Sequence, residues 1–359
     1  MFNITTGAII LFTASIPELL ALIISIRGYL TRKYPYYLYM SITWFFLYLA
    51  TVLLTISYLT IDTSLYRFAI ITNAPITFSM MFLVDSVSRK TVDSRKVLVT
   101  TIVATLLVVF AFESSSAVEI HTSYLGEKAP AMTGNFDISG SLIFALAGLY
   151  WIYYMAKIYI SAPQNIKKDS LINLLGAIIA GSGSALAFGS GFVWYLPGTD
   201  YVCIAIGALT CAYAFYKQPK LGHVLSFKVY RLMTINTNSG LSLYTYDWDK
   251  GLPYDSQLLS SAIYGISGIL NESLNKGIIK EIEFEQGTLI LHQHENYPIF
   301  FVLIANESRP ILKNALQLFA KDFSVVFPAE EVDTNLNLST YKKADDIVDQ
   351  TFPFVVSYI

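Results

Sequence analysis

Seven apolar stretches of spanning length, or close to it, crowd into roughly the first 220 residues, and nothing else in the sequence limits the fold so strongly. They fall at about 6–27, 37–59, 67–88, 96–112, 138–161, 171–195 and 200–216. A helix rises about 1.5 Å per residue, so roughly 20 apolar residues cross the ~30 Å hydrocarbon core of a bilayer. The fourth and seventh stretches, at about 17 residues, sit at the lower limit. The expectation is a seven-transmembrane α-helical bundle over residues 1–221. Composition agrees: 14% of residues are charged, against about a quarter in soluble domains. No basic segment precedes the first stretch, which therefore reads as a retained span rather than a cleaved signal.

Charge fixes an expected orientation. The segments after the first, third, fifth and seventh stretches carry twelve Lys and Arg residues, and the opposite side carries only Arg67 and Lys128. By the positive-inside rule the N-terminus faces out and residues 222–359 lie in the cytoplasm of a cell-membrane protein. Tyr34, Tyr36, Tyr37, Tyr39, Trp194 and Tyr195 near span ends suit an interfacial aromatic belt. The first 221 residues are net +4 and the remainder net −6. An acidic soluble part argues against a nucleic-acid partner, which demands concentrated positive charge. The partners expected are the lipid bilayer and a cytosolic protein.

Beyond Pro219 and Gly222 the apolar period shortens to two. Tyr230–Ile235 and Leu241–Tyr246 alternate around Asn238-Ser-Gly240 and read as a hairpin. A helix follows over about 255–276, with Leu258, Leu259, Ala262, Ile263, Ile266, Ile269, Leu270 and Leu274 as its apolar stripe. Three strands are expected at 278–285, 288–294 and 298–305, then helices at about 308–323 and 339–349. The expectation is a five-stranded antiparallel sheet with two or three helices, two of them covering one face. The tail from Thr351 to Ile359 is too apolar for a free end and is expected to dock on this domain or on the membrane surface.

That element order, with the opening Tyr230-Arg-Leu-Met-Thr-Ile-Asn-Thr-Asn-Ser-Gly-Leu-Ser-Leu-Tyr, resembles the longin domain of membrane-trafficking proteins, and more loosely roadblock and profilin-like folds. The resemblance covers residues 228–349. It implies that the second and third strands of the domain are sheet edges, and that a small GTPase or its regulator, or a second copy of the chain, is the partner. The helical part, with Trp44 in Ser41-Ile-Thr-Trp-Phe-Phe-Leu-Tyr, resembles the seven-helix sensor region of some histidine kinases, but no kinase follows.

Few residues point to chemistry. Glu18, following Pro17, places a carboxyl at membrane depth, where ionisable groups face a bundle interior or cavity. With Asn73 and Asn173 it is read as a candidate ligand or proton site; packing against a neighbouring helix is the competing reading. Asp85 is expected to pair with Arg89. In the sixth stretch Gly181, Ala185 and Gly189 recur every four residues, a helix-packing row. The connector 113–137 reads as a solvated loop, with a recognition loop or a cation site as the alternatives. Glu281, Glu283 and Glu285 alternate along the third strand of the domain and mark a candidate partner-binding edge for a basic partner. Cys203 and Cys211, about 12 Å apart on a helix, are too distant for a disulfide. No catalytic constellation, metal site or cofactor motif is present in the sequence, and no enzymatic activity is expected. The expected function is a membrane receptor or adaptor that senses or anchors through the bundle and binds a cytosolic protein. A secondary transporter is the alternative, although no repeated halves are visible.

The orientation is directly testable. A cysteine at Ser123 is expected to react with a membrane-impermeant maleimide on intact cells, while a tag after Ile359 stays protected; the reverse pattern overturns the topology.

Overall fold

The computed structural model describes residues 4–88, 92–183, 185, 196–225, 227–249, 256–274, 280–285, 287–293, 297–329, 332 and 339–357. The chain forms two compact units, Met1–Ser226 and Phe227–Ile359.

The first unit is helical: α1 Thr6–Arg32, α2 Pro35–Thr60, α3 Thr63–Ile71, α4 Asn73–Ser88, α5 Ser94–Glu113, α6 Gly134–Ser161, α7 Gln164–Ile178 and α8 Thr199–Lys217. Among the described residues six helices, not the expected seven, are long and apolar enough to cross a membrane; α3 and α4 together make one of them. The sixth expected stretch accounts for the difference. Its α-helix begins at the polar Gln164-Asn-Ile-Lys-Lys-Asp and gives way to a π turn at Ile179–Gly183. The turn reads Ile-Ala-Gly-Ser-Gly, and glycine is the poorest helix former after proline. Residues 186–195, with Gly189 of the packing row, lie outside the described set. The third stretch is broken at Thr72, where the Asn73 side-chain amide donates to Ile70 O at 2.8 Å.

The connector expected to be a solvated or recognition loop is a β-hairpin, β1 Val118–Thr122 against β2 Lys128–Met132, turning at Gly126 with φ +77°. Its Glu127 carboxylate accepts from the Thr6 amide at 2.9 Å and the Thr6 hydroxyl at 2.7 Å. A negative charge there suits the positive end of the α1 dipole. The Ser123 hydroxyl is enclosed, so the labelling test belongs at the exposed tip residue Leu125. At the other end of the bundle Tyr36 and Tyr37 are buried rather than interfacial. Their hydroxyls donate to Pro219 O and Phe215 O, and Arg32 donates to Tyr37 Oη and Tyr216 O. His223 lies edge-on to Tyr34 at 4.8 Å, and burial pushes its imidazole down to about 3.

The second unit holds β3 Val229–Asn236, β4 Ser242–Asp247, α9 Ser256–Leu274, β5 Glu281–Phe284, β6 Gly287–Gln293, β7 Ile299–Ala305, α10 Pro310–Val326 and α11 Ala344–Thr351. The strands form one antiparallel sheet in the order β4-β3-β7-β6-β5, with β4 and β5 at its edges. Gly240 at φ +70° closes the first hairpin, where Asn236 Oδ1 accepts from the amides of Asn238 and Ser239. The two main helices do not share a face. Ile263 and Leu259 of α9 pack with Met233, Ile235, Leu289, Leu291, Phe300 and Val302, whereas Phe319 and Phe323 of α10 pack on Phe301, which points the other way. The reason lies in β3 and β7, buried on both sides, so that both faces need cover. The expected α9 stripe is correspondingly narrower: Leu258, Ala262 and Ile266 are exposed, and the side chains of 267–274 lie outside the described set.

The tail docks on the second unit. Phe352, Phe354, Val355 and Val356 are buried. Phe352 lies 5.4 Å from Trp248 and 6.1 Å from Phe319, and Phe354 stands edge-on to Phe227. Phe352→Ala is expected to cost about 3–5 kcal/mol by leaving a cavity among these rings. Chemical denaturation of residues 227–359 checks it; an unchanged midpoint would show the tail to be dispensable.

Candidate functional site

The described residues line a cavity of about 580 Å³ in the helical unit. That volume is in the range of small-molecule pockets, about 300–1,000 Å³. It follows α2 from Thr43 to Tyr58, roughly 22 Å at helical rise. Its middle is apolar, walled by Leu47, Leu54, Ile70, Ile76, Met80 and Ile143. Aromatic side chains hold the walls apart. Trp44 and Trp151 face each other at 5.2 Å near one end, and Tyr58 and Tyr66 at 6.5 Å near the other.

Polar groups are few and concentrated. At the hairpin end Asp200, in the first turn of α8, lies within electrostatic reach of Tyr58, Tyr66 and Tyr201. Its carboxylate accepts from backbone amides of its own turn. The Tyr201 hydroxyl is buried with no hydrogen-bond partner, and so is the Trp44 indole N–H at the opposite end. An unpaired buried donor or hydroxyl costs about 1–3 kcal/mol, which a ligand atom can relieve.

The structure does not bring Glu18, Asn73 and Asn173 into one site. Only Asn73 lines the cavity. Glu18 is fully buried against Thr51, whose hydroxyl is committed to Leu47 O at 3.1 Å, so both carboxyl oxygens lack a hydrogen bond. Asn173 is buried between Met155 and Cys211: its side-chain amide donates to Met155 Sδ, and the Cys211 thiol donates to its backbone carbonyl. Helical spacing tells which residues share a face, not which neighbour that face meets, so the three carried no mutual distance in the sequence.

Other expectations moved in similar ways. Asp85 pairs with Lys96 at 2.5 Å and accepts from the Asp93 amide; Arg89 lies outside the described residues. Within the packing row Gly181 does meet Gly148 and Ile152 of α6, but Ala185 is exposed toward the cavity. The tightest helix crossing is instead between Gly176 on α7 and Gly207 on α8, where backbone meets backbone with no space for a methyl. On the acidic edge Glu281 is paired with Lys313 at 2.8 Å, Glu283 is exposed on β5, and Glu285 falls in the turn beyond the strand. Asp200, Tyr58, Tyr66 and Tyr201 were missed as a group. The available signal was an acid directly after Pro197-Gly198-Thr199, opening an apolar run.

Among the described residues no group of His, Cys, Asp and Glu is placed to hold a metal ion. No protein-family model, curated protein or solved structure matches the chain.

Since Glu18 makes no hydrogen bond, Glu18→Met is expected to melt at or above the wild-type temperature, because a buried polar group is exchanged for an apolar one of similar length. Glu18→Ala, which leaves a void, is expected to lose about 2 kcal/mol or more. A collapse of Glu18→Met in a thermal melt would show that the carboxyl has a structural partner.

Proposed function

We propose that the chain is a membrane receptor or adaptor. Its helical unit, completed by the 171–195 stretch as a seventh span, senses a small molecule or lipid. Its α/β unit, longin-like and cytoplasmic, binds a protein, with a small GTPase or its regulator as the partner class that the resemblance implies. The observation that carries this reading is the largely apolar cavity with unpartnered polar groups at both ends. A pocket of that kind is built to hold a ligand. The α/β unit supports binding rather than chemistry. Its sheet ends in two open edges, β4 and β5, and such edges accept an added strand. Glu283 and Glu285, exposed beside β5, favour a basic partner.

The test is hydrogen exchange of the full-length protein in nanodiscs, with and without an extract of its native membrane lipids. Sensing predicts that occupancy slows exchange around the cavity and changes it in residues 222–359. The cavity-filling variant Leu47→Trp is expected to abolish both effects. Exchange in the α/β unit that is indifferent to the extract, together with solute flux in proteoliposomes, would establish the transporter instead.

A further inference from the structure

The cavity is chemically asymmetric, and the asymmetry names a ligand. Its hairpin end presents one carboxylate, Asp200, and three phenol rings, Tyr58, Tyr66 and Tyr201, all on the cavity wall. Its long middle is mostly apolar, interrupted by Asn73 and Thr77, and its far end offers the Trp44 indole N–H. No Lys, Arg or His lines it, and Asp200 has no ion-pair partner among the described residues. A second carboxylate, Asp137, also acts on Tyr66. An anionic head group would therefore face like charge there, with no basic side chain to offset it.

Two observations beyond the acid itself point to a ligand. The Tyr201 hydroxyl is buried and unpartnered on the wall, and Tyr201 is 5% exposed. Tyr58 and Tyr66 lie ring to ring at 6.5 Å, with the Tyr66 hydroxyl held by the Met132 backbone of the hairpin. Tyrosine faces attract cations through the ring quadrupole, and a few of them around a carboxylate form the cage that recognises amines and quaternary ammonium groups. A neutral ligand would leave the carboxylate without a countercharge.

We propose that this cavity binds a cationic amphiphile, an amine or quaternary ammonium with a single alkyl chain. The head sits among Tyr58, Tyr66, Tyr201 and Asp200, and the chain runs past Leu54 and Leu47 toward Trp44. This rests on the reading of the cavity as a ligand site and adds the class of ligand. The roughly 22 Å from Tyr58 to Thr43 accommodates an extended chain of more than a dozen carbons.

The experiment uses full-length protein in maltoside micelles and equilibrium dialysis against isotopically labelled tetradecyltrimethylammonium, with tetradecyl sulfate and tetradecyl maltoside as competitors. Wild type is expected to bind one equivalent of the cation that neither competitor displaces. Asp200→Asn is expected to bind it about tenfold more weakly, and Tyr66→Leu several-fold more weakly, the range of a cation–π contact. Tyr66→Phe, which keeps the ring, is expected to bind nearly as wild type. Leu47→Trp, which blocks the chain, is expected to lose binding while Asp200 stays intact. If the sulfate and maltoside compete equally and Asp200→Asn changes nothing, the head-group assignment is overturned while the cavity still holds a chain. If wild type and Leu47→Trp bind all three amphiphiles alike, the cavity is no ligand site and both readings fall.

Discussion

A helix in hydrocarbon satisfies its own backbone, so what remains to hold a bundle together is how closely its helices can approach. In this chain that approach is unequal around the bundle. On α8 Gly207 meets Gly176 of α7 and Ala180 beyond it with no room for another carbon atom. Across the bundle Trp44, Trp151, Tyr58, Tyr66 and Tyr201 stand between the helices and keep them apart. Small residues close one side and large flat ones prop the other, and the cavity is what the difference leaves. The same inequality puts unsatisfied polar atoms where no protein group reaches them.

The α/β unit solves a different problem. Its central strands β3 and β7 are buried on both sides, so each face of the sheet is roofed. The chain does this with one helix per face and seals the margin with its tail, through Phe352 and Phe354. Arg231, nearly buried on β3, is neutralised by two contacts to Asp247 on the neighbouring strand, at 2.5 and 3.1 Å. The two edges are finished differently. The β5 edge is short and carries exposed Glu283, whereas β4 has Tyr244 Oη donating to Asp345 of α11 at 2.6 Å. An acidic short strand discourages a second copy of itself more than it discourages a basic guest.

How much was legible follows from what periodicity encodes. Span positions were readable because apolar length is a property of the segment alone: the expected 96–112 and 200–216 became Ser94–Glu113 and Thr199–Lys217. The strands and the Asn238-Ser-Gly240 turn were readable because their signals are local. Contacts across the bundle were not. Glu18, Asn73 and Asn173 each face inward, but toward different neighbours. Tyr36 and Tyr37 sit at a helix start, yet turn inward to hold the chain beyond α8. Asp85 chose Lys96, eleven residues on, because the backbone doubles back before α5. The π turn at Ile179–Gly183 has no period of its own to betray it, and the two-sided burial of β3 and β7 is hidden when one side alternates as cleanly as the other.

The clasp between Glu127 and Thr6 has a consequence for how the protein is made. The start of α1 gives its first amide to a carboxylate that lies 121 residues further along the chain. During synthesis that carboxylate does not exist until every helix up to Glu113 has left the ribosome. The first helix is therefore written first and fastened late, and the hairpin that fastens it also carries Met132, which anchors Tyr66 at the cavity mouth. The hairpin end of the bundle can therefore close only after the β1–β2 turn has emerged.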